Sequence, residues 1–288
     1  MTYLLLRLLS LIFIFIPRPV CLAIGRLIGW LFYSFFQKRI NVARKNILLM
    51  FPKMNIKERE KILYESYKHF GMILMDSIKI SNYSVDKIKS LIDSSSTDIS
   101  DIQNDDGGII MTAHIGNWEM IIPEMSRSIK KFYIVVKNHK NTSFNKYLDW
   151  IRKREHIELI TSKAPSKKII QQLDLGSFIG LASDQNAYNK GIDINIFNST
   201  ASLPMGAAKL HIRTKKNIYL VVCLLNNNYN YKISIETIQL NTKNSNMHEN
   251  ILTINQLYAT RLESYIKSYP HQYFWFHRLL NYKEYNTI

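Results

Sequence analysis

The chain has 288 residues and carries 38 Lys and Arg against 22 Asp and Glu, a formal net charge of +16. That length suits one large α/β domain, and the two cysteines, far apart in sequence, argue against both a disulfide framework and a Cys-based metal site. The charge asks for anionic partners, and aromatics gathered in apolar runs rather than interleaved with Lys and Arg speak against nucleic acid as one of them.

The charge is unevenly placed. Nine Lys and Arg precede Glu58 with no acid among them, and twelve lie between Ser126 and Ile170 against Asp149, Glu155 and Glu158. Lipid headgroups, phosphorylated sugars or an acidic carrier protein fit such a surface. Solubility charge in an Asn-, Ile- and Lys-rich sequence is the plainer alternative.

Residues 3–16 are strongly apolar but short and carry Arg7, and Pro17-Arg18-Pro19 breaks the run. Residues 20–36 resume it with Arg26 and end at Gln37-Lys38-Arg39. A spanning helix needs about 20 apolar residues, which neither piece reaches cleanly, and no small-x-small cleavage site follows the first. Residues 1–40 therefore read as a membrane-anchoring helical hairpin or interfacial helix. It would set Trp30, Phe32, Tyr33, Phe35 and Phe36 near the headgroups. A single span and a buried helix are the competing readings. The apolar segments lie outside the pattern that follows, so removing the first 36 residues is expected to leave the fold of residues 41–288 intact.

Downstream, residues 56–81 have helical periodicity, and residues 82–106 are polar and loop-rich with a short helix or strand. Residues 107–113 form an apolar, β-leaning run. Residues 132–136, 157–161 and 178–183 read as short buried strands, separated by helices at 142–155 and 165–175. Residues 201–214 read as a helix with Pro204 in its first turn. Residues 218–225 and 229–238 flank Asn226-Asn227-Asn228 as a hairpin, and 248–268 form a long amphipathic helix. The alternation predicts an α/β fold: a central, mostly parallel sheet with helices on both faces.

Chemistry is concentrated after residue 113. His114-Ile115-Gly116-Asn117-Trp118-Glu119 places a histidine at the end of a strand, where α/β proteins put their sites, and a carboxylate five residues later. The imidazole can take a proton from an attacking hydroxyl while Glu119 fixes its tautomer. With no serine or cysteine in the run, the hydroxyl would be the substrate's own. A core histidine beside a capping Asn117 and a surface Glu119 is the bland reading. Asp184 and Gln185 end a strand on the same edge as His114, which fits a site role or a loop cap. Arg152 and Arg154 close a helix. His211, His248 and His271 have no ligand spacing and read as structural or exposed, and His277-Arg278 reads as a C-terminal anchor.

Thr112-Ala113-His114-Ile115-Gly116-Asn117-Trp118-Glu119 resembles the signature of the bacterial lipid A biosynthesis (lauroyl/myristoyl) acyltransferases, within the wider His-x4-Asp/Glu group. Ala43-Arg44-Lys45-Asn46-Ile47 with Phe51-Pro52, and Ala182-Ser183-Asp184-Gln185, resemble further blocks of that family. So do residues 197–201 with Pro204, Gly206 and Ala208, and Tyr269-Pro270 with Trp275-Phe276-His277-Arg278. The five blocks stand in family order along nearly the whole chain. Ile196-Phe197-Asn198 departs from a Phe-Phe-Gly pattern, and His156 stands where a glycine often follows the arginine segment.

The resemblance implies acyl transfer from a thioester, on acyl carrier protein or coenzyme A, to a hydroxyl of an anionic glycolipid. The implied acceptor is a lipid A precursor and the implied place is the cytoplasmic face of a bacterial inner membrane. Catalysis would fall to His114 and Glu119. Substrate binding would fall to Asn117, Arg152, Asp184 and Gln185, with Asn117, the turn amides and Arg152 supporting the oxyanion. The thioester carries its own activation, so neither metal nor cofactor is expected. Another glycolipid or a lysophospholipid is an alternative acceptor, and a basic membrane-associated binding protein without catalysis is the alternative class.

Overall fold

The chain's apolar runs become the strands of one sheet in the computed structural model, which describes residues 2–95, 97, 99–129, 131–137, 140–153, 156–239 and 246–286. The strands are β1 (Gly108–Thr112), β2 (Phe132–Val136), β3 (Ile157–Thr161), β4 (Phe178–Ala182), β5 (Gly191–Ile196), β6 (Ser199–Pro204), β7 (Ile218–Leu225) and β8 (Tyr231–Ile238). Six of them form a sheet in the order β3-β2-β4-β1-β7-β8, and β5-β6 form a separate pair. β1, β2, β3, β4 and β7 run parallel, and β8 closes the edge antiparallel to β7. All eight residues of β7 are buried, as a strand covered on both faces requires.

The helices are α1 (Thr2–Phe15), α2 (Arg18–Phe35), α3 (Gln37–Met50), α4 (Ile56–Ile80), α5 (Val85–Leu91), α6 (Ser100–Gln103), α7 (Trp118–Ser128), α8 (Thr142–Arg152), α9 (Ser166–Asp174), α10 (Gly206–Thr214) and α11 (Met247–Ser268). Asn55 and Glu58 start α4 with a capping box, each side chain taking the other residue's backbone N–H. One apolar cluster gathers α3, α10 and α11 with Ile109, Met111 and Leu220, and the other gathers α4, α5 and α7 with Ile110 and Val221. Alternate residues of β1 and β7 feed opposite clusters, so the sheet is sandwiched as expected.

Two expectations change. Residues 201–204 are strand rather than helix, and the helix starts only at Gly206. The hairpin was hidden because its two-residue turn, Phe197-Asn198, lacks glycine; Phe197 takes a left-handed φ of 53°. Tertiary contacts hold it there: the Glu263 carboxylate accepts the Phe197 N–H at 2.6 Å, and Phe51 packs edge-on against its ring.

The N-terminal helices are the second difference. α2 lies backbone to backbone on α4, since a Cβ on Gly29 would meet the Tyr67 carbonyl at 2.1 Å and one on Gly71 the Gly25 carbonyl at 2.0 Å. Arg18 forms an ion pair with Asp76, whose side chain is fully buried. Lys79 donates to the carbonyls of Phe13 and Ile16 at the end of α1, both at 2.6 Å. Arg7 stacks on Trp150 and Ser10 bonds Tyr147, which ties α1 to α8. Segments 1–40 and 41–288 thus share a close interface.

Stripping one partner from a buried pair costs about 3–5 kcal/mol. A chain lacking residues 1–36 is therefore expected to melt well below the full chain in thermal unfolding followed by circular dichroism. Unchanged melting would show that α4 repacks without its partner.

Candidate active site

Register, not sequence proximity, builds this site. Thr112 of β1 lies beside Ala182 of β4, so the residues two steps beyond each strand end, His114 and Asp184, emerge together. One Asp184 oxygen accepts the His114 backbone N–H at 2.9 Å, and the other lies 2.7 Å from His114 Nδ1. Phe274 donates its N–H to the His114 carbonyl at 2.9 Å, and the imidazole packs edge-on against Trp118.

Gly116 makes the turn possible. Its φ is +61°, and a Cβ there would sit 1.9 Å from the Cys223 carbonyl. Three of the turn's amides are committed: Ile115 to Ala113, Gly116 to Gln272, and Asn117 to Cys223.

Burial alone would push the His114 imidazole below histidine's ordinary range. The Asp184 carboxylate outweighs that, with help from Glu119, and holds it above the ordinary value. Burial likewise opposes ionisation of Asp184, yet the His114 contacts keep its carboxyl below the usual range. An ionised Asp184 accepts a hydrogen bond from the Nδ1–H, which leaves the Nε2 lone pair for a partner.

The structure corrects two expected roles. Glu119, in the first turn of α7, does not bond His114; its carboxylate accepts Nε and Nη2 of Arg152 at 2.9 and 2.5 Å. The acid that fixes the tautomer is Asp184. Asn117 is fully buried and gives its amide to the Tyr231 hydroxyl at 2.8 Å, and neither it nor the amides of Ile115 and Gly116 are free for an oxyanion. Arg152 closes α8. Burial opposes its charge, and Glu119 and then Asp149 hold it protonated. Arg154 lies outside the described residues.

A cavity of 650 Å³ joins these groups. His114, Glu119, Arg152, Gln185 and Asn186 line its polar part, and Ile110, Ile121, Ile122, Phe132, Ile134 and Leu181 its apolar part. Gln185 Nε2 sits 3.5 Å from His114 Nε2, too far for a strong bond. His277 also lines the cavity rather than only anchoring the C-terminus. Its signal in the sequence was the aromatic run before it, Phe274 and Phe276, which packs beside His114 and Phe70. Among the described residues no three His, Cys, Asp or Glu side chains converge as a metal site needs.

The sequence model of the bacterial lipid A biosynthesis acyltransferases matches residues 1–282. The chain belongs to that family. A lipid A biosynthesis palmitoleoyltransferase of Escherichia coli (strain K12) is 37% identical over 62 residues, 22% of this chain and 20% of that protein. A lipid A biosynthesis acyltransferase of Haemophilus influenzae (strain ATCC 51907 / DSM 11121 / KW20 / Rd) is 38% identical over 64 residues, 22% of this chain and 21% of that protein. A lipid A biosynthesis lauroyltransferase of E. coli (strain K12) is 32% identical over 62 residues, covering 22% and 20%. The matched stretch thus spans about a fifth of each relative's length.

Proposed function

We propose that the protein is an acyltransferase, moving a fatty acyl group from a thioester on acyl carrier protein or coenzyme A to a hydroxyl of a lipid A precursor. The observation that carries this reading is the buried Asp184–His114 pair at the polar end of a cavity with apolar walls. An apolar channel holds an acyl chain, and a base at its mouth activates a hydroxyl.

His114 Nε2 takes the proton as the acceptor oxygen adds to the thioester carbonyl carbon. Arg152 and the Gln185 amide are side-chain donors that can meet the oxyanion. The tetrahedral adduct collapses, the C–S bond breaks, and the thiolate takes the proton back from the imidazolium. The ester stays with the acceptor.

The N-terminal helices fit a lipid surface. No single helix among the described residues is long and apolar enough to cross a membrane. Yet Leu4, Leu8, Ile12 and Phe15 of α1, and Leu27, Trp30, Phe32 and Phe35 of α2, are exposed. Such faces beside a run of basic residues suit interfacial docking on anionic lipid, at the cytoplasmic face of the inner membrane.

The test is mass spectrometry of outer-membrane glycolipids after gene deletion, paired with transfer assays using acyl carrier protein and coenzyme A thioesters. Loss of one acyl chain and its restoration in vitro are expected. An unchanged glycolipid profile with no transfer to any lipid hydroxyl overturns the reading, and transfer to a lysophospholipid alone replaces the acceptor.

The acidic limb of kcat/KM carries its own prediction. A base works only as the neutral imidazole, so a raised His114 pKa sets that limb above histidine's ordinary value. Asp184→Asn removes the charge that raises it. The variant is expected to shift the limb to lower pH and to lose up to about 10⁴-fold in turnover, as the tautomer is no longer held. A limb that stays in place would assign it to another group.

A further inference from the structure

The helix that carries Arg152 has little core of its own. Among the described residues of α8, Tyr147 alone is buried, and its hydroxyl lies 2.8 Å from Ser10 Oγ of α1. Ser10, itself fully buried, gives its proton to the Leu6 carbonyl at 2.8 Å, so it accepts the Tyr147 hydroxyl. Three residues on, the Trp150 ring packs against Tyr147 and holds the Arg7 guanidinium 4.2 Å from its centroid. Arg7 Nη1 also donates to the Tyr3 hydroxyl at 3.1 Å, which keeps the cation over the indole.

Helix geometry says what these contacts do. Tyr3, Arg7 and Ser10, at i, i+4 and i+7, share one face of α1. Leu4, Leu8, Ile12 and Phe15 project from another face and are exposed. In α8, Tyr147 and Trp150 stand one turn apart on the side that meets α1. Arg152 follows Trp150 by two residues, about 200° round the helix. It therefore points the other way, to the cavity, where Glu119 takes two of its nitrogens. α8 stands between α1 and the reacting groups.

We propose that Arg7 and Ser10 are positioning residues for acyl transfer. Through Trp150 and Tyr147 they set where α8 ends, and with it where the Arg152 guanidinium meets the oxyanion. The apolar helix at the lipid surface is then also part of the frame of the active site. A misplacement of about 1 Å can cost about 10²-fold in rate, so a loosened α8 is enough to be felt. The hold of α1 on α8 stands on these contacts alone; its catalytic consequence rests on the reading of Arg152 as an oxyanion donor.

The experiment pairs hydrogen exchange with steady-state transfer from a dodecanoyl thioester of acyl carrier protein to a lipid A precursor, using the full chain in detergent micelles. In R7Q/S10A the amides of residues 142–152 should exchange about tenfold or more faster, with β1, β4 and β7 unchanged. Its kcat should fall about tenfold or more, and the thioester KM should stay within about twofold. In an Arg152→Ala background the same pair should change kcat by less than about twofold, because the group it positions is gone, while the faster exchange persists. Arg7→Lys with Ser10 intact keeps a cation on the indole and should retain most of the rate. Trp150→Phe keeps a ring on Tyr147 but offers the cation a poorer face, and should show a smaller change of the same kind even where R7Q/S10A melts too low to assay. An equal loss of kcat in both backgrounds marks a contact that is only structural and overturns the proposal. Unchanged exchange or unchanged kcat in R7Q/S10A overturns it too. Normal kcat in Arg152→Ala alone strikes the donor reading, and the positioning role falls with it even if exchange quickens.

Discussion

His114→Ala is expected to lower acyl transfer by roughly 10²–10⁴-fold, the usual contribution of a positioned base. That is about 2.7–5.4 kcal/mol of barrier. The loss should fall on kcat, because the imidazole lies at the polar end of the cavity and the acyl chain's binding surface is the apolar remainder. Asp184 acts only through His114, so the double variant His114→Ala/Asp184→Asn should be barely worse than His114→Ala alone. Stability needs its own measurement. Asp184 also accepts the His114 backbone N–H, so replacing it disturbs the turn as well as the ring. Melting temperatures taken alongside rates separate the two effects. Purified His114→Ala protein that turns over near the normal rate would remove the base from the mechanism.

Why the sequence showed the members of this site but not their pairing follows from how each is positioned. β2, β3 and β7 begin and end where their apolar, β-branched runs predict, and most plainly β7, because a strand covered on both faces needs nothing but such a run. His114 was visible from its place at a strand end. Its partner was not, since the nearest carboxylate along the chain is Glu119, and only the alignment of Thr112 with Ala182 brings Asp184 to the ring. Asn117 looked available because capping residues usually face solvent; here Tyr231, on the edge strand, takes its amide inward.

The same limit hid the hairpin and the N-terminal packing. A left-handed phenylalanine at position 197 contradicts local preference and is held by Glu263 from α11. The apolar run of residues 20–36 suggested a lipid-facing helix, and one face of α2 is exposed. The other face is decided by Gly25 and Gly29, whose role is legible only once Gly71 of α4 is laid against them. Arg18 looked like a breaker between two apolar segments, yet it supplies the charge that Asp76 needs inside.

Arg152→Ala is expected to cost about 2.7–4 kcal/mol in transition-state stabilisation, or roughly 10²–10³-fold in kcat, the typical loss of one oxyanion donor. Its guanidinium is positioned for this, since Glu119 holds two of its nitrogens while the residue still lines the cavity. Glu119→Ala should be damaging for a different reason. It leaves a mostly enclosed guanidinium without its counter-charge, so both the melting temperature and kcat should fall. Arg152→Lys keeps the charge but cannot match the carboxylate with a planar fork, and should recover only part of the rate. The two side chains touch, so the double variant Glu119→Ala/Arg152→Ala should be less impaired than the summed single losses. If Arg152→Ala lowers the melting temperature while kcat holds, the pair is a strut between α7 and α8. The oxyanion would then fall to other donors, the Gln185 amide among them.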